Sequence, residues 1–214
     1  QALQAQLAPR LEWHRAEELQ RYEALLDRIA ADLAGPVSAA TVRGWAEEAL
    51  AAAQRVERSM MEVALEFGSE VSDAQVREFM DGLWEKQGEY EEEFLQRSAA
   101  EYADDDYDNL SDFLQLQRPA GVAAHQLDRD QRAVLRGAAD RLQRFDRAWL
   151  EERRGWLETL EPLLLERAPG WQAAVMSAYE ARLETRTPAY RTTFDHNLEQ
   201  IAGAYAEVLS TLTE

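Results

Sequence analysis

Three histidines each have a carboxylate three residues on: His14 with Glu17, His125 with Asp128 and His196 with Glu199. On a helix this spacing puts both side chains on one face, where imidazole and carboxylate together can ligate a metal. Helical di-iron proteins use the reverse order, Glu-x-x-His, twice. That order occurs nowhere in this chain. With 41 acidic residues among 214, a histidine followed by an acid arises from composition alone. The expectation is therefore solvated or ion-paired helix faces, with a metal-binding helical protein as a minor alternative. No metal and no cofactor is assigned.

The run Asp104, Asp105, Asp106, Tyr107, Asp108 invites a calcium-loop reading, with Asp104, Asp106 and Asp108 at positions 1, 3 and 5. Position 6 is then Asn109 where the turn needs glycine, and position 12 is Gln115 where the ion needs a bidentate glutamate. An exposed acidic linker or short helix is the plainer reading. The same run belongs to a longer one. Glu89 to Asp112 holds ten acidic residues and one basic residue, Arg97, with Tyr90, Phe94, Tyr102, Tyr107 and Phe113 set among them. Most charge runs are solvated faces, but aromatics set in charge are common at interfaces. Tyr90, Phe94, Tyr102, Asp104, Asp105, Asp106, Tyr107 and Asp108 are therefore the candidate residues for docking a basic protein partner.

No catalytic arrangement stands beside them. The chain has no G-x-S-x-G, no Walker A loop and no H-E-x-x-H. It has no cysteine, which removes thiol nucleophiles, thiolate metal sites and disulfides. Carboxylate pairs are too frequent to mark an acid–base site. The net charge of −18 disfavours nucleic acid, which needs clustered Lys and Arg, and disfavours a basic membrane-binding face. The expectation is a protein that is not an enzyme. Six tryptophans, Trp13, Trp45, Trp84, Trp149, Trp156 and Trp171, read first as core filling, with a lined groove as the alternative.

The elements that must position these residues all read as helices. Breaks fall at Gly35-Pro36, Gly68-Ser69, Arg118-Pro119-Ala120-Gly121, Pro169-Gly170 and Thr187-Pro188. The first segment carries Leu19, Tyr22, Leu26, Ile29 and Leu33 as one stripe, with Pro9 as a kink or a first turn. The second starts at Ser38 with a heptad stripe through Val42, Ala46, Ala49, Ala53, Val56, Met60, Val63 and Phe67. The third starts at Ser72, with Gln75 as capping-box partner and Val76, Phe79, Leu83, Tyr90 and Phe94 on one face. A fourth long helix starts near Asp128, carries Leu135, Ala138, Leu142, Phe145, Trp149, Trp156, Leu160 and Leu163, and is kinked or ended by Pro162. A shorter helix runs from about Gly170 to Leu183. The last begins at the Thr187 cap with Pro188 as its first residue.

The two similar helix starts at Ser38 and Ser72 lie 34 residues apart, but the internal pattern of a tetratricopeptide repeat is missing. The predicted fold is all-α: an elongated antiparallel bundle or curved array of long amphipathic helices, without β-sheet. Residues 1–118 form an N-terminal three-helix part ending in the acidic stretch. Residues 119–214 form a helical part packed with it as one continuous domain.

One segment is more specific than its periodicity. Trp13, His14, Arg15, Glu18, Leu19 and Tyr22 form W-H-R-x-x-E-L-x-x-Y, followed by Leu25-Leu26. This resembles the N-terminal motif of an uncharacterised family of proteobacterial lipoproteins. Leu127 to Arg132 and the stretch from Trp149 to Trp156 are similar to that family's second half. The resemblance implies a helical periplasmic domain tethered to the membrane by a lipidated N-terminus. It implies no activity. The family's lipobox is not among these residues. The chain begins at Gln1, and a processed or trimmed N-terminus is the expectation. A looser similarity links Val71-Ser72-x-x-Gln75 and Leu127-Asp128-x-x-Gln131 to small periplasmic chaperones with an L-T-x-x-Q motif, though capping alone produces that pattern. The functional expectation is a non-catalytic periplasmic lipoprotein domain that binds an envelope protein. A holdase-type chaperone is the alternative.

Overall fold

A computed structural model describes residues 2–116, 127–184 and 186–211. The described residues form helices and turns, with no strand among them. The helices are α1 (Ala2–Trp13), α2 (Leu19–Asp32), α3 (Ala39–Gly68), α4 (Asp73–Gln96), α5 (Ala99–Leu116), α6 (Arg129–Ala139), α7 (Asp146–Glu166), α8 (Trp171–Glu184) and α9 (Pro188–Ser210). The all-α expectation holds. The break at Arg118 to Gly121 and His125 lie outside the described residues.

The predicted helix starts hold at the level of single bonds. The Thr41 backbone N–H donates to Ser38 Oγ at 3.1 Å. Ser72 and Gln75 exchange bonds of 2.9 and 3.3 Å. Asp128 and Gln131 do the same at 3.0 and 2.8 Å. The Tyr190 N–H donates to Thr187 Oγ1 at 3.1 Å. Each satisfies backbone donors that a helix N-terminus leaves open.

The chain divides into two compact units. The first comprises Gln1–Ala24, Glu48–Gln96 and Asp146–Arg191, and the second Leu25–Glu47, Arg97–Phe145 and Thr192–Glu214. Both take residues from either side of residue 118. In the first unit, Leu65, Met80, Leu160 and Val175 form a core flanked by Trp84, Trp156 and Trp171. Here α4 packs on α7 and α7 on α8. In the second unit the core gathers Val42, Leu110, Leu135, Ala138, Ala202, Tyr205 and Val208, with α5 packed on α6. Ala202, Ala204 and Ala206 are buried, and their small side chains allow close packing around α9.

Several predicted faces are rotated. Between α1 and α2 the backbone makes one π turn, His14–Glu18, in which the Leu19 N–H donates to the His14 carbonyl five residues back. The buried positions that follow are Glu18 and Leu25. The expected Leu19 and Leu26 are instead 42% and 58% exposed. Pro9 lies inside α1. In α3 the stripe keeps Val42, Ala46, Val56 and Val63 at least partly buried, but Ala49, Ala53, Met60 and Phe67 face outward, and Ala52 and Ser59 are buried instead. In α4 Met80 is buried and Phe79 faces outward.

The predicted fourth helix is two helices, α6 and α7, separated by residues 140–145. Neither proline nor glycine marks that break. Its backbone is instead met by side chains of the second unit. Asn197 accepts from the Gln143 N–H at 2.8 Å and donates to the Gln143 carbonyl at 2.8 Å. Tyr102 Oη accepts from the Phe145 N–H at 3.0 Å. These bonds replace the helical ones that the break gives up. Pro162 lies inside α7, which continues to Glu166.

Candidate functional site

The predicted docking residues fall into two groups, one in each unit. Tyr90 and Phe94 are one helical turn apart on α4, stacked at 5.5 Å. Both rings meet Trp149 of α7, at 5.4 and 5.8 Å. The Arg153 guanidinium lies 5.3 Å from the Tyr90 ring and 5.9 Å from Trp149. Next to them, Arg154 holds both oxygens of Glu91 at 2.6 and 2.7 Å. Gln87 adds a bond of 2.7 Å to the same carboxylate. Gln87 first, and then Arg154, hold Glu91 below the usual carboxylate range. In this group the aromatics and acids serve the α4–α7 packing.

The second group lies on α5. Ser98 and Glu101 cap that helix reciprocally, at 2.8 and 3.2 Å. Its acidic run is therefore continuous helix, not a loop, so Asp104 and Asp106 lie on opposite sides and cannot converge as calcium ligands at positions 1 and 3. Asp104 pairs with Arg136 at 2.6 Å, and the same guanidinium lies 3.9 Å from the Tyr107 ring. Asp105 pairs with Arg97 at 2.9 Å. Tyr102 receives the Phe145 N–H and has the Arg144 guanidinium 5.3 Å from its ring. Asp106 and Tyr107 are half-buried, and Asp108 is exposed. The outer face carries Glu101, Asp104, Asp105, Asp108 and Asp112. Beside it stands Phe113, 50% exposed, its ring stacked at 5.4 Å on Tyr205. Burial pushes the Tyr205 hydroxyl up, and that hydroxyl donates to the Leu110 carbonyl at 3.2 Å. Phe113 is thus an outward ring on a fixed base.

The motif residues gather around the π turn. His14 and Tyr22 meet edge to face at 5.6 Å. Glu18 is fully buried. Its two oxygens accept from Arg55 Nε and Nη2 at 2.8 and 2.9 Å, and Arg21 adds a bond of 2.5 Å. Arg55 first, aided by Arg21, holds the Glu18 carboxyl below its ordinary range. Arg15 and Leu19 face outward. The i,i+3 spacing of Glu18 and Arg21 is visible in the sequence. Arg55, 37 residues away, has no local signal.

The tryptophans are all half-buried. Trp45 donates to Asp32 at 3.0 Å and flanks the second unit's core. Trp84, Trp156 and Trp171 flank the first unit's core. One cleft of about 320 Å³ in the first unit has Trp156, Glu151 and Glu152 in its wall. Arg182 bonds Glu152 at 3.2 Å there and lies 5.3 Å from the Trp156 ring, so the cleft's main polar groups bind each other. The His196 ring bonds the Arg141 carbonyl at 3.1 Å, which gives it a place in the 140–145 break. Among the described residues no group of three or more His, Cys, Asp or Glu could hold a metal ion.

The chain matches no protein-family model, no curated protein and no solved structure. What stands is the class: an all-α helical protein in which no described helix is long and apolar enough to cross a membrane.

Proposed function

We propose that this chain is a non-catalytic periplasmic lipoprotein domain that binds a basic envelope protein through the outer face of α5. The observation that carries the reading is the composition and facing of that helix. Ala99–Leu116 has six acidic residues and no basic one, its acids are turned mostly outward, and Phe113 stands exposed among them on a fixed ring. A rigid aromatic anchor beside exposed carboxylates such as Asp108 and Asp112 has the chemistry of an interface hot spot, and the excess of acids on the helix speeds encounter with a cationic partner. The periplasmic address and lipid tether rest on the Trp13 to Tyr22 resemblance.

The test is capture from envelope extract by the chain and by an Asp108→Lys, Asp112→Lys, Phe113→Ala variant. A partner held by the first, lost by the variant and released between 50 and about 300 mM salt supports the reading. Equal capture by both overturns it. Palmitate labelling of the native gene product tests the tether separately.

A second reading, a holdase-type chaperone, is favoured by one feature of the first unit. Ala53, Met60, Ala64 and Phe67 are exposed on one face of α3. Suppression of client aggregation that is lost in Met60→Ser, Phe67→Ser would move the assignment there.

A further inference from the structure

Of the ion pairs that join the N-terminal segment to α3, the two shortest are out of step by one residue, and Arg10 also reaches Glu66 at 3.9 Å. Arg10 pairs with Glu62 at 2.9 Å, and Glu18 pairs with Arg55 at 2.8 Å. Eight positions on one strand of the pairing therefore answer seven on the other, with the two segments running in opposite directions. Seven α-helical residues turn about 700°, about 20° short of two full turns, so both ends of a seven-residue step face nearly the same way. Eight turn about 800°, which leaves the second side chain about 80° off that face. An unbroken α-helix from Arg10 to Glu18 would set the two groups about 80° apart around its axis, where the π turn brings them to one face.

The π turn His14–Glu18 lies between the two pairs. Such a turn absorbs one extra residue without advancing the helix face. It also rotates what precedes it. Trp13, just before the turn, is half-buried while Leu11 faces outward. Glu18 is the last residue of the turn, the side chain covered most completely, and the one held by two guanidinium groups.

We infer that the Glu18–Arg55 fork is a register latch: closed, it holds the π turn and the present facing of α1; open, His14–Glu18 rewinds to α-helix and Ala2–Trp13 turns by about 100°. The charged groups around the latch are Arg55 and Glu48 on α3, and Arg21 and Glu17 on the segment itself. The Arg10–Glu62 pair opens with the rotation.

Two measurements test this. In the native chain, coupling across the hydrogen bond should link the Leu19 N–H to the His14 carbonyl. In Glu18→Leu the partner should move to the Arg15 carbonyl, four residues back. A bond that stays on His14 in a folded Glu18→Leu chain overturns the latch. The second test is deletion of Ala16, which makes the two spacings equal at seven. It should leave Tm within about 3 °C, whereas deletion of Ala24, outside the π turn, should lower Tm by several times that amount. Equal losses from the two deletions would show that the π turn does not absorb the extra residue.

Discussion

Asn197 grips the backbone of Gln143 with both ends of its amide, taking the N–H on its oxygen and giving its own N–H to the carbonyl, each at 2.8 Å. This pair of bonds, 54 residues apart in sequence, stands where the α6–α7 helix would otherwise continue. Asn197→Ala leaves both backbone groups of Gln143 to water alone and should cost about 2 kcal/mol. Asn197→Asp keeps the acceptor and loses the donor, so it should fall between the native chain and the alanine variant. Urea unfolding measures both. An alanine variant as stable as the native chain would show that the break is held by Tyr102 and the adjoining packing alone.

Glu18 makes stability depend on acid. Its folded carboxyl lies below the ordinary value of 4.5, first because Arg55 donates to it. A depressed carboxylate contributes in full above its unfolded value and loses that contribution as the pH falls through its folded one. Glu18→Gln should therefore lose about 2 kcal/mol at pH 7, less than for a wholly buried pair because the Arg55 side chain is 35% exposed. The gap between variant and native chain should stay constant down to about pH 5 and narrow below the ordinary carboxylate value. Unfolding at pH 7, 5 and 3.5 reads it, and a gap constant across all three would remove Glu18 as its source.

Ser59 faces the buried side of α3, and its hydroxyl has no hydrogen-bond partner among the described residues. A buried hydroxyl without a partner costs about 1 kcal/mol or more, and alanine is the better helix former. Ser59→Ala should raise stability by about 1 kcal/mol, visible as a higher Tm. A drop would mean that the hydroxyl is bonded in solution.

Arg167 ends α7 with φ of 41°, a conformation that costs a non-glycine residue about 1 kcal/mol. Its guanidinium offsets that by bonding the Gly68 and Val71 carbonyls at 3.3 and 2.8 Å, and the Asp73 carboxylate. Arg167→Ala loses the bonds and keeps the conformational cost, whereas Arg167→Gly loses the bonds alone. The glycine variant should be the more stable by about 1 kcal/mol, the reverse of the usual order within a helix. Side-by-side chemical denaturation decides the order.

The sequence by itself determined the helical class and most of the helix starts. Ser38, Ser72, Asp128 and Thr187 cap as their spacing requires, because a cap is made by residues three apart and depends on nothing distant. It also determined the α5 acids and, of the predicted fourth helix, the buried positions Leu135, Ala138 and Leu160, while Leu150 and Leu157 are buried beside the half-buried Trp149 and Trp156. Only the tertiary structure decided which flank of each stripe turns inward. Ala52 and Ser59 replace Ala53 and Met60, and Met80 replaces Phe79, because neighbouring stripes on one helix differ by only about 100° and the partner helix chooses between them. Distant side chains likewise made the 140–145 break and the π turn. Asn197 and Arg55 supply bonds that no local pattern announces. The specific motif from Trp13 to Tyr22 was legible as residues, but its buried centre, a carboxylate forked by an arginine 37 positions away, required the fold.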